Sequence, residues 1–151
     1  MKRMIEHVAL RVTNLDKSIA FYRDVMGFKP VGRRLIHNGE IDQVVFRVGE
    51  DILVLFHADD FVSDDVEVKG GMDHLAFCMD DAEYNNVINR LRESGREPHR
   101  GEEKNLGAFG VGYATYFYDP DNVELEIKRY DDPPEQPGPE WYESGRKMSV
   151  S

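Results

Sequence analysis

The chain has a single cysteine, Cys78, among 151 residues. That excludes an intrachain disulfide, and equally a thiolate cluster for zinc or an iron–sulfur centre. A bound metal would fall to His, Asp, Glu or Tyr. No apolar run approaches the roughly 18 residues of a membrane span, and the opening MKRMIEHVALRV moves directly into strand-like alternation with no signal-peptide core. The expectation is a cytoplasmic protein with no membrane partner. Positive charge is scarce as well: 19 Lys and Arg stand against 29 Asp and Glu, a formal net charge of -10. Such a field repels phosphate backbones and argues against nucleic acid as a partner. Proline is sparse until the end, where Pro133, Pro134, Pro137 and Pro139 begin an acidic tail over 130–151 that cannot start as a regular element. Trp141 and Tyr142 in that tail are free to dock on the body or on a partner.

What remains is enough for a core. With 40% hydrophobic and 11% aromatic residues the chain is globular in composition, and its length suits one domain or two small halves that share a core. The halves are visible as a repeat: EHVALRVTNLDKSIAFYRDVMGFKP parallels DHLAFCMDDAEYNNVINRLRESGREP, setting His74 on His7, Ala76 on Ala9, Gly95 on Gly27 and Pro98 on Pro30. In the first copy Ile5 to Val12 alternates as a strand, and Thr13 with Asp16 has capping-box spacing. A helix follows with Leu15, Ile19, Tyr22, Val25 and Met26 on one face and Gly27 as a left-handed cap. Strands are expected over about 29–37, 41–48 and 52–57, the first two joined by the hairpin signal Asn38-Gly39. After an acidic connection over 58–71, the second copy has a cap signal in Asp80 and Glu83, and a helix face of Tyr84, Val87, Ile88 and Leu91. A charged, Gly-rich loop over 100–112 then precedes strands over 113–118 and 123–129. The reading is an α+β fold of two βαβββ modules, about 4–57 and 72–129, within one domain over 1–129.

The repeat points to a site. Each copy puts a histidine in its first strand with an alanine two residues on, so His7 and Ala9 share a face, as do His74 and Ala76. A small residue beside an imidazole leaves room for a ligand. In YFYDPDNVELEIK, alternation sets Glu124, Glu126 and Lys128 on the face opposite Val123, Leu125 and Ile127. Symmetric pairing of the modules would bring two imidazoles and a carboxylate of the closing strand to one cavity. Considered singly, each histidine is as well explained by a half-buried sheet position, and Glu126 by a solvated face paired with Lys128 or Arg129. Repetition favours ligation. Arg11, on the face of His7, suits either a substrate carboxylate or an acidic neighbour. Cys78 reads as a small buried filler, and His37, His57 and His99 as surface or turn residues.

HVALRVTNLDKSIAFYRDVMGF, DHLAF and YFYDPDNVELEI together resemble the vicinal oxygen chelate superfamily of glyoxalases, fosfomycin-resistance proteins, methylmalonyl-CoA epimerases and extradiol dioxygenases. The resemblance implies paired βαβββ modules forming a curled, cup-shaped mixed sheet with helices outside. It implies one divalent metal ion (Fe2+, Mn2+, Ni2+ or Zn2+) bound by His7, His74 and Glu126, a small-molecule substrate with vicinal oxygens, and a homodimer. The family's carboxylate lies five residues after the second aspartate of its Asp-Pro turn; counting from Asp121 gives Glu126 and leaves Glu124 nearer the rim. Asn122 stands where the family has Gly and can take the same left-handed turn.

Two departures bear on the reaction. The fourth ligand of glyoxalase I, a glutamate closing the first module, is matched here by Leu53, with His57 nearby in a different register. Three protein ligands leave positions for water and a bidentate substrate, as in non-haem Fe(II) oxygenases and in isomerases. Tyr116 matches the extradiol tyrosine and is the candidate catalytic residue, but Gly107, Ala108 and Phe109 supply no histidine for that chemistry, and His99 lies earlier in the loop. The expectation is a metal-dependent enzyme of dioxygenase or lyase/isomerase type. The alternative is a metal-free small-molecule binding protein of the bleomycin-resistance type, drawing on Tyr113, Tyr116 and Tyr118.

Overall fold

The computed structural model describes residues 5–35, 41–57 and 72–133. These fall into two compact units: the residues before Met72 together with Asp119–Asp121, and the residues from Met72 on without that turn. The expected Asn38-Gly39 hairpin, His37, the acidic connection over 58–71, and the tail with Trp141 and Tyr142 lie outside the described residues.

In the first unit the order is β1 (Val8–Val12), α1 (Leu15–Ala20, passing into a π turn over Phe21–Val25), β2 (Lys29–Leu35), β3 (Ile41–Val48) and β4 (Asp51–His57). The second unit repeats it with β5 (Leu75–Cys78), α2 (Asp81–Glu93), β6 (Arg100–Gly107), β7 (Gly110–Tyr118) and β8 (Glu124–Arg129). Each forms a four-stranded mixed sheet, ordered β1-β4-β3-β2 and β5-β8-β7-β6, with the first and last strands of the module parallel and the other pairings antiparallel. The α+β reading and the βαβββ repeat hold. No helix among the described residues is long and apolar enough to cross a membrane.

Alternation explains which sheet face takes the helix. In the first unit Leu10, Val12, Leu53, Leu55, Val44 and Phe46 are buried with Phe21, Tyr22, Val25 and Met26 of the helix. In the second, Phe117, Leu125 and Ile127 are fully buried, as are Tyr84, Val87 and Leu91 of α2. Burying a side chain of this size contributes roughly 1.5–3 kcal/mol, so these two apolar faces fix strand register. The π turn accounts for the first helix's wide apolar stripe: its extra residue brings Phe21 inside beside Tyr22, with Met26 N donating to Phe21 O at 3.2 Å. Gly27, at φ 74, ends the helix as expected, and Gly95, at φ 83, does the same after α2.

Three expectations are corrected. Asn14, not Thr13, caps α1, accepting from Lys17 N at 3.0 Å. Thr13 is engaged elsewhere, its amide donating to Asp121 Oδ1 at 3.0 Å and its hydroxyl to the same oxygen at 2.5 Å. The stretch read as a loop over 100–112 is β6 and the start of β7, joined by a tight turn at Ala108 and Phe109. Its charge and glycine suit an edge strand, which needs pairing on one side only. Cys78 is exposed, not a buried filler. The cap of α2 is as expected, Asp80 accepting from Glu83 N at 2.8 Å, and Asn122 does take a left-handed conformation, φ 62.

The Asp-Pro turn is held by buried polar contacts. Asp119 is 1% exposed and Tyr22 0%; Tyr22 Oη donates to Asp119 Oδ2 at 2.8 Å, and Asp121 N donates to Oδ1 at 2.8 Å. Burial first, then Asp119, holds the Tyr22 phenol far above its ordinary pKa, so it remains a donor. Asp119→Ala should strand that hydroxyl and lower stability by about 1–3 kcal/mol in urea unfolding. Combined with Tyr22→Phe the loss should be smaller than the sum of the two single losses.

Candidate metal centre

The site residues of the second unit lie in one row across its sheet. Ala76 of β5 is the register partner of Glu126 in β8, Glu126 of Tyr116 in β7, and Tyr116 of Arg100 in β6. Partners project to the same face, so sequence alternation alone aligns them. Glu126 is 5% exposed and Tyr116 also 5%. A carboxylate so enclosed needs partners for both oxygens. Oε1 accepts from Tyr116 Oη at 3.0 Å and faces Lys128 Nζ at 3.3 Å; Oε2 lies 3.0 Å from His74 Nε2. Asn105 closes the ring, donating through Nδ2 to Tyr116 Oη at 2.7 Å and accepting from Lys128 Nζ. The Arg100 guanidinium lies 3.6 Å above the Tyr116 ring centroid.

His74 is fixed from its other nitrogen too, with Nδ1 2.6 Å from Asp73 Oδ2. Standing between two carboxylates, it is held above the ordinary imidazole pKa, chiefly by the Asp73 hydrogen bond, against a lowering by burial and with help from Glu126. The first unit repeats the arrangement: His7 Nδ1 lies 2.5 Å from Glu6 Oε2. Glu6 and Asp73 are solvent-exposed, so these pairs add little stability. Their effect is orientational. A carboxylate that accepts a hydrogen bond from Nδ1–H leaves Nε2 as the ligating nitrogen, the usual support of a metal-bound histidine.

The structure therefore brings His74, Glu126 and Tyr116 together, and it places His7 in the first unit beside Glu6. Among the described residues no group of three or more His, Cys, Asp or Glu side chains lies assembled as a cage. The donors present nonetheless fit a divalent cation. Imidazole nitrogen and carboxylate oxygen suit Mn, Fe, Ni and Zn alike, Glu126 keeps Oε2 for a ligand while Tyr116 and Lys128 occupy Oε1, and the His74–Glu126 contact is one a cation can take over from a proton.

Neighbours are placed as follows. Glu124 turns from Glu126 to His99, its Oε2 3.1 Å from Nε2, and His99 stacks on Tyr118 with ring centroids 4.1 Å apart. Tyr113 lies under the Arg129 guanidinium, 4.0 Å from ring centroid to Cζ. Arg11 is exposed on β1. The position matching Glu126 in the first module is Val54, since Ala9 pairs with Val54 as Ala76 pairs with Glu126; the alignment to Leu53 is one residue short. Valine is no ligand, so a fourth protein carboxylate is absent there. His57, three residues beyond Val54, points to the opposite face. Asn105 and Asp73 carry no motif signal singly, but the acidic residue before each histidine, Glu6-His7 and Asp73-His74, repeats visibly.

Comparison with known proteins follows the same line. The family model described as Glyoxalase/Bleomycin resistance protein/Dioxygenase superfamily matches residues 4–127. The chain is 27% identical to a metallothiol transferase FosB from Shouchella clausii, over 82% of this chain and 77% of the relative. It is 26% identical to a probable lactoylglutathione lyase from Synechocystis, over 80% of this chain and 91% of the relative. Among solved structures, a variant of the fosfomycin resistance protein FosX from Listeria monocytogenes, complexed with Mn(II) and 1S,2S-dihydroxypropylphosphonic acid, superposes with a TM-score of 0.60. The match covers 85% of this chain and 90% of that one at 22% identity, a likeness of fold.

In metal-free protein followed by NMR, the His74 imidazole should titrate above its ordinary range, and Asp73→Asn should bring it down. A midpoint unmoved by that substitution would contradict the Asp73 assignment.

Proposed function

The chain belongs to the glyoxalase/bleomycin resistance protein/dioxygenase superfamily, and from that premise we propose that it is a divalent-metal-dependent enzyme acting on a small substrate with vicinal oxygens. One divalent ion would be held by His7, His74 and Glu126. The observation that carries this reading is the matched pair of carboxylate–imidazole contacts, Glu6 with His7 and Asp73 with His74, each on Nδ1. Two exposed acidic residues that orient two repeated imidazoles in the same way have no packing role that would account for them.

The cation would supply Lewis acidity to two adjacent substrate oxygens. The chain's own groups complete the chemistry. Burial and the bond to Glu126 raise the Tyr116 pKa, so at neutral pH its Oη keeps its proton and donates a hydrogen bond to Glu126 Oε1, which holds that carboxylate with Oε2 toward the site. Asn105, bonded to that hydroxyl at 2.7 Å, sets its direction. We place the activity in the non-oxidative lyase or transferase branch. The names of the two curated relatives, a metallothiol transferase and a lactoylglutathione lyase, support this, as does the lack of a histidine at Gly107, Ala108 and Phe109.

Protein purified without chelator and analysed by inductively coupled plasma mass spectrometry should carry about one divalent ion per chain. His7→Ala, His74→Ala and Glu126→Ala, each confirmed folded by circular dichroism, should lose most of it. Equal metal in all four proteins would sink the site, and small-molecule binding indifferent to EDTA would favour the metal-free reading.

A further inference from the structure

The second unit buries a cation beside its carboxylate. Lys128 follows Glu126 by two residues on the same face of β8, and its side chain is only 6% exposed. Among the described residues its ammonium meets Glu126 Oε1 at 3.3 Å and Asn105 Oδ1, with the Tyr130 ring centroid 5.7 Å away. The position is built by the chain around it. A side chain at Gly107 would collide with Lys128 Cε and Tyr130 Oη, so only glycine lets the lysine stem lie there. The matching position in the first module is Phe56, partner of Arg11 as Lys128 is partner of Cys78.

The adjacent strand leaves space beside this pair. Ala76 and Cys78, the β5 partners of Glu126 and Lys128, are both small and both exposed. Without another ion, Lys128 and Glu126 neutralise each other. Resting on the metal reading above, a divalent cation placed on Glu126 would draw that carboxylate away from Lys128 and leave the buried ammonium without a full counter-charge. A neutral ligand would leave that charge uncompensated. We infer that the organic ligand of this site is an anion, and that Lys128 answers its charge.

Isothermal titration with two probes tests this. Oxalate is a dianion with adjacent oxygens; acetoin is a neutral vicinal ketol. In Mn2+-loaded protein, oxalate should bind more tightly than acetoin, and Lys128→Met should weaken oxalate by about tenfold or more, a far larger factor than it weakens acetoin. Lys128→Arg, which keeps the charge, should retain most of the oxalate affinity. Oxalate affinity equal in wild type and Lys128→Met, or acetoin binding as tightly as oxalate, overturns the inference and leaves the metal reading standing. If wild type takes up no Mn2+, the metal reading falls, and the same titrations on metal-free protein decide the inference. Oxalate binding that Lys128→Met loses supports it; binding that is absent or indifferent to the substitution overturns it. Should Lys128→Met not fold, oxalate, glycolate and acetoin on wild type must fall in that order of affinity; a flat series overturns the assignment.

Discussion

Enclosing the Glu126 carboxylate on a sheet face strips it of hydration, and at 5% exposure every lone pair must be answered by protein. The second unit is arranged to do this. Tyr116 and Lys128 take one oxygen and His74 the other, while Asn105 ties the phenol to the ammonium. Asn105 reaches them from β6, an edge strand whose sequence, RGEEKNLG, has little to recommend it as a strand apart from this duty and its pairing with β7. Gly107, two residues on, gives up its side chain so that Lys128 and Tyr130 can close in. One buried charge thus determines residues on β6, β7 and β8 and the histidine that precedes β5.

The two modules keep the same topology and differ chemically in this row. In the second it reads Ala76, Glu126, Tyr116, Arg100; in the first, at matched register, Ala9, Val54, Val45, Gly32. The first module keeps only its histidine and the acidic residue before it. Repetition therefore preserved the oriented imidazole in both copies and left the carboxylate, the phenol and the ammonium to one.

Much of this was legible from residue pattern. The apolar periodicity of α1 and α2, the cap at Asp80, the left-handed Gly27 and Asn122, and the alternation of β8 are local features, and local chemistry reveals them. Glu126 could be told from Glu124 only by counting from the Asp-Pro turn, and the two carboxylates do go to different imidazoles. What the pattern hides is non-local. Thr13 lies 108 residues from Asp121, whose carboxylate takes it out of competition for the helix cap. β6 is a strand because β7 lies beside it, a fact its own charged residues do not carry. The single-residue shift from Leu53 to Val54 needed the pairing register itself, since both neighbours are apolar and alternate faces.

The ion proposed above would take an imidazole from each module together with the Glu126 carboxylate. X-ray absorption spectroscopy of the Zn2+-loaded protein reads that shell. Two imidazoles with the remaining ligands oxygen are expected, falling to one imidazole in His7→Ala. A single imidazole in the wild type, or a shell unchanged by His7→Ala, would contradict it.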